Sequence, residues 1–174
     1  VISMLADDEN AAVRREVALT LRATPENQFE KLLKLGILVG LAQRFDGQDR
    51  TYLEALGLGA EGIESDVFLA AKKLMNMNSP NAWSDAFAKI AWRLHPAEAV
   101  SDFKARALDS KLTPDQRKLM VTAIAFAPGR EAAGAMLELA HAKDFPMQDL
   151  AKWWLMNRKG NTWKTYDIDG SMKA

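Results

Sequence analysis

The residues with the strongest intrinsic chemistry are sparse. His95 and His141 are the only imidazoles in the chain. They lie far apart in sequence, and neither has a neighbouring ligand set at metal spacing. His95 precedes Pro96 at an expected helix end, where an imidazole covers terminal carbonyls and interacts favourably with the helix dipole. General-base work needs a positioned partner, and none is evident beside either ring. Asp167-Ile168-Asp169-Gly170 resembles the opening of a calcium loop but lacks the further oxygen ligands and final glutamate of an EF-hand, so a solvated tail is expected. Serine elbows, P-loops, dinucleotide glycine patterns and HExxH are all missing. The sequence therefore supports no catalytic, cofactor-binding or metal residues.

Five tryptophans carry more information. Trp83 and Trp154 fall on the apolar stripes of their expected helices, which predicts burial. Trp92 and Trp153 sit about 100° off those stripes, where an aromatic anchors either a partner or an adjacent helix pair.

Composition narrows the function classes further. The 174 residues are 48% hydrophobic and 26% charged, with 23 Lys plus Arg against 23 Asp plus Glu. A chain of this kind buries a core of its own. Zero net charge provides no overall field for phosphate backbones or anionic lipid, which disfavours nucleic-acid binding. Absence of cysteine excludes disulfides, thiolate metal sites and CxxCH haem attachment within these residues. The longest apolar stretch, residues 32–42, is interrupted by Lys34 and falls short of the ~20 residues that cross a bilayer. The chain begins without a leader pattern or methionine and reads as a fragment of a longer protein.

The elements that position these residues are helices, because apolar residues recur at three- and four-residue intervals almost throughout. Val13, Val17 and Leu21 mark the first, behind acceptors at Asp7, Asp8 and Asn10. Thr24-Pro25-Glu26 predicts the start of the next, with Phe29, Leu32, Leu33, Ile37 and Leu41 on one side and apolar residues on its others. That helix is expected to be central, with Gly36 and Gly40 at a tight core crossing. A shorter helix over 49–56 ends at the glycines 57, 59 and 62. Further stripes follow at Ile63 to Leu74, Trp83 to Leu94, Val100 to Leu108, Leu119 to Ile124, Ala132 to Ala140 and Met147 to Trp154.

Short polar turns group these helices into pairs. Residues 96–100 are echoed by 130–134, and Thr113-Pro114-Asp115-Gln116 by Phe145-Pro146-Met147-Gln148. Recurrence at one helical-hairpin length points to a solenoid. Asp7-Asp8-Glu9-Asn10-Ala11-Ala12-Val13-Arg14-Arg15-Glu16-Val17 resembles the HEAT-like repeat family, in which an aspartate-rich turn leads into a helix with a Val-Arg pair. The resemblance implies an all-α, α-α superhelix of about five helix pairs over 1–158, with 159–174 a tail or linker that folds back by Trp163 and Tyr166 or borders another domain.

More narrowly, Asp49-Arg50-Thr51-Tyr52-Leu53-Glu54-Ala55-Leu56-Gly57, Ala91-Trp92-Arg93-Leu94-His95-Pro96 and Trp153-Trp154-Leu155-Met156-Asn157-Arg158-Lys159-Gly160-Asn161 resemble the helical-repeat region of large bacterial PVC-type haem-binding proteins. That resemblance implies a β-propeller upstream, a c-type haem domain downstream, and a periplasmic or secreted setting; neither flanking module lies in these residues. The expected function is a non-enzymatic scaffold that contacts another protein or neighbouring domains of its parent chain and takes no cofactor. Arg50, Arg93, Arg117, Lys152 and Trp153 are the expected contact residues. Some HEAT-like proteins are DNA glycosylases acting on alkylated bases, an alternative that the balanced charge disfavours.

Overall fold

The computed structural model describes residues 2–23, 27–166 and 168. Among these, regular structure is helical and no strand occurs. The α-helices are α1 (Ile2–Leu5), α2 (Ala11–Thr20), α3 (Gln28–Gln43), α4 (Arg50–Gly59), α5 (Glu64–Leu74), α6 (Asp85–Leu94), α7 (Val100–Leu108), α8 (Pro114–Phe126), α9 (Arg130–His141) and α10 (Gln148–Lys159). They fall into two compact units, Val1–Leu94 and His95–Ala174.

Side-chain caps set the starts of α2, α3, α4 and α8. Asn10 Oδ1 accepts from Ala12 N at 2.9 Å, and Asp49 Oδ1 from Tyr52 N at 3.1 Å. Thr113 and Gln116 form a reciprocal capping box, with Pro114 in the first turn of α8. The expected start at Thr24-Pro25-Glu26 lies outside the described residues; α3 begins at Gln28, where Asn27 Oδ1 accepts from Glu30 N at 3.0 Å. The Pro146 echo also differs from its counterpart, since α10 begins two residues later.

In the first unit α2 packs on α4 and α4 on α6, while α3 packs on α5. Their shared core contains Val17, Ala18, Leu38, Leu41, Leu53, Leu56, Val67 and Phe68. Phe68, Trp83 and Phe87 form an aromatic cluster with centroids 5.0 to 5.9 Å apart. Trp83 is buried as its stripe predicts, but it precedes α6 rather than lying on it, and its indole N–H donates to the Met77 carbonyl at 2.8 Å. In the second unit α7 and α8 form one hairpin and α9 and α10 another; α7 also meets α9 and α8 meets α10.

The glycines correct two expectations. α4 does not stop at Leu56 but runs through Gly57 and Gly59, and only Gly62 takes a left-handed turn, at φ +83°. Close approach explains the helical pair: a methyl at Gly59 would strike the Ala18 carbonyl oxygen, and one at Gly57 the Arg93 guanidinium. Conversely, Gly36 and Gly40 of α3 are not at a core crossing, for no heavy atom would lie within 4 Å of a methyl at either. α3 is central only in its second half, where Ile37, Leu38, Val39, Leu41 and Ala42 are buried, whereas Phe29, Leu32 and Leu33 in its first half are exposed.

Gly59→Ala is expected to lower stability by about 1–2 kcal/mol, overpacking outweighing the gain in helix propensity. Gly134→Ala, in α9 with open space around it, should raise stability by about 0.5–1 kcal/mol. Urea denaturation of the two variants beside the parent protein checks the opposite signs.

Candidate functional site

In the first unit the expected contact residues converge on one carboxylate. Arg50 opens α4, where Asp49 accepts from the Tyr52 amide and the Thr51 hydroxyl. The Thr51 hydroxyl first, and then the backbone amide, hold the Asp49 carboxyl below the usual aspartate range. One turn along, Glu54 takes the Arg50 guanidinium on Oε1 at 3.2 Å and Arg93 Nε from α6 on Oε2 at 2.6 Å. Arg50 also stands over the Trp92 ring at 5.9 Å.

The two arginines are not equivalent. Arg93 lies against Gly57 with its side chain 21% exposed and ion-paired, so it buttresses the helix pair; Arg50 is 78% exposed. Arg50 thus carries the outward charge of this cluster. Glu54 has one carboxylate oxygen engaged by each guanidinium.

In the second unit Lys152 and Trp153 are adjacent on α10. Lys152 Nζ donates to Gln148 Oε1 at 2.9 Å, one turn back on its own helix. Trp153 remains 54% exposed, and Met156, one turn onward, is 52% exposed. Beside Trp153 the rings continue in a row: Trp154 lies edge-on at 4.7 Å, Phe126 of α8 a further 5.3 Å on, and His95 5.3 Å beyond that. The Arg158 guanidinium covers Phe126 at 4.3 Å and Trp154 at 5.3 Å. Trp153 is therefore an exposed aromatic at the end of a row of contacting rings.

Arg117 stands elsewhere in this unit. Its Nε donates to the Ala107 carbonyl at 2.8 Å, near the end of α7, and its guanidinium stacks over Phe145 at 5.5 Å. That geometry serves helix termination. Trp154 is half-buried, less than its position on the stripe predicts.

Sequence reading missed Phe126, Met156 and the aromatic role of Arg158. Phe126 is the last residue of α8 and 46% exposed, so it projects past the core stripe. The signal available was a large aromatic at a helix end. Its pairing with α10 depends on the α8–α10 contact, which local spacing does not specify.

Among the described residues no three His, Asp or Glu side chains gather as a metal site would require, and no helix is long and apolar enough to cross a membrane. Asp167, Asp169 and Gly170 of the calcium-like motif lie outside the described residues; Ile168 is buried. Compared with protein-family models, curated proteins and solved structures, the chain matches none of them.

Proposed function

We propose that this chain is a non-catalytic helical-repeat scaffold of the α-α superhelical, HEAT-like kind, which engages another protein or a neighbouring domain of its parent chain through α10. The carrying observation is Trp153, more than half exposed beside Lys152 and Met156, with Trp154 edge-on to its ring and Phe126 and Arg158 packed on Trp154. Aromatic anchors held in one rotamer before binding lose little entropy on docking, which is why such residues dominate interface energetics. Packing of α2 on α4, α3 on α5 and α4 on α6 in the first unit, and of α7 on α9 and α8 on α10 in the second, supports the repeat architecture. The resemblance of residues 49–57, 91–96 and 153–161 to PVC-type haem-binding proteins supports a place between a propeller and a c-type haem domain in a larger bacterial protein.

A photoreactive residue at position 153 of the parent chain is expected to trap one discrete partner or a neighbouring domain. The same probe at Glu131, also exposed but on α9, should trap nothing specific. Trp153→Ala should weaken the association by at least about tenfold without lowering the thermal midpoint. Equal trapping at both positions, or unchanged affinity in the alanine variant, overturns the assignment of this face.

A further inference from the structure

The fold sorts the methionines of the described residues by their access to water. Met120 of α8 and Met136 of α9 are fully buried, Met75, Met77 and Met147 are half-buried, and Met4 and Met156 are exposed. A thioether in water is open to oxidation, whereas one packed in a core is shielded.

Met156 differs from Met4 in where it stands. It follows Trp153 by three residues on α10, so the thioether and the exposed indole share one helix face. The polar side chains beside them are turned to the helix's own groups: Lys152 Nζ donates to Gln148 Oε1 at 2.9 Å, and Asn157 Nδ2 to the Trp153 carbonyl at 2.7 Å. What this face presents for contact is the indole and the thioether, and methionine adapts its shape readily to an apolar partner.

From this placement we infer that Met156 is a reversible oxidation site whose sulfoxide switches off docking through α10; the inference rests on the reading of that face as the contact surface. A peroxide supplies the oxygen. The sulfur lone pair attacks one peroxide oxygen, and the O–O bond breaks as the S–O bond forms. The proton of the transferred hydroxyl passes to the departing hydroxide, which leaves as water, so the thioether loses two electrons and the peroxide gains them. The product is polar and needs a hydrogen-bond donor when buried, which an apolar partner does not provide. Packing within the unit is unaffected, because Ala151 and Leu155, the buried residues of α10, lie on its other side.

After hydrogen peroxide treatment of the parent chain, peptide mass spectrometry should find sulfoxide at positions 4 and 156 before positions 120 and 136. A photoreactive residue in place of Asp149, whose side chain is fully exposed one turn before Trp153, reads docking with both contact residues intact. Oxidation should lower the trapping yield by about tenfold, and methionine sulfoxide reductase should restore it. Met156→Leu, which keeps the apolar bulk, should trap equally before and after peroxide although Met4 is oxidised there too. Met156→Gln, polar at the same position, should trap weakly with no oxidant present. Undiminished trapping with position 156 oxidised overturns the inference and leaves the docking face standing, as does equal loss in the Met156→Leu protein or resistance of position 156 to peroxide. Absence of specific trapping in the untreated protein overturns the docking face itself, and the switch with it.

Discussion

Replacing Trp163 with alanine is expected to destabilise the second unit by about 3–5 kcal/mol, among the largest losses available to a single side chain. Trp163 is fully buried although it lies beyond α10, in a segment that follows Gly160 and ends in a short 3₁₀ turn over Lys164–Tyr166. Its backbone amide donates to the Arg158 carbonyl at 3.0 Å, turning the chain back after the helix end. At Tyr166 the ring meets the Arg130 guanidinium of α9 at 5.8 Å, so the returning segment is fastened at both ends. Removing the indole leaves a cavity that the rigid helix pair cannot close. Hydrogen exchange should show α9 and α10 amides losing protection together, while Trp163→Phe, which keeps most of the apolar volume, retains most of it. Unchanged protection in the alanine variant would show that the segment is not integral to this unit.

Arg14→Ala should cost the first unit about 2–3 kcal/mol, the next largest effect. Arg14 is a buried cation whose Nη1 donates to the Asp8 and Glu9 carbonyls at 2.8 and 2.9 Å. Its Nε reaches the Tyr52 hydroxyl at 3.4 Å, and that hydroxyl donates to the Leu41 carbonyl at 2.9 Å. One guanidinium thus ties the turn before α2 to α4 and to the end of α3. Burial pushes the Tyr52 phenol pKa up, which keeps it a donor across the physiological range. Alanine strands these acceptors, and lysine, with a point charge in place of a planar fork, should recover less than half of the loss in urea denaturation. Recovery in full by lysine would show that charge, not fork geometry, sets the contribution.

Arg14 also shows how far the sequence was legible. The aspartate-rich turn and the Val-Arg pair were visible as a pattern, and the structure supplies its local cause: an arginine one turn into a helix satisfies the carbonyls of the turn that leads into it. Among the proposed contact residues, type and helical phase placed Trp153 off its apolar stripe but left open whether it meets a partner or an adjacent helix pair, and the structure leaves it exposed. They did not separate Arg50, which faces water, from Arg93, which pairs with Glu54 against Gly57. Both are arginines on amphipathic helices, and only the helix opposite distinguishes them.

By itself, the sequence determined that the chain is helical, where most helices begin, and that no thiol or haem-attachment chemistry resides in it. Those properties follow from periodicity, capping side chains and residue inventory, which act over a few positions. Tertiary structure alone decided which glycines admit a neighbouring backbone, which stripe of α3 stays in water, and that Trp163 enters a core. Glycine at position 36 and glycine at position 59 have the same local freedom. What differs is the surface placed against each, and that is set by residues far away in the chain.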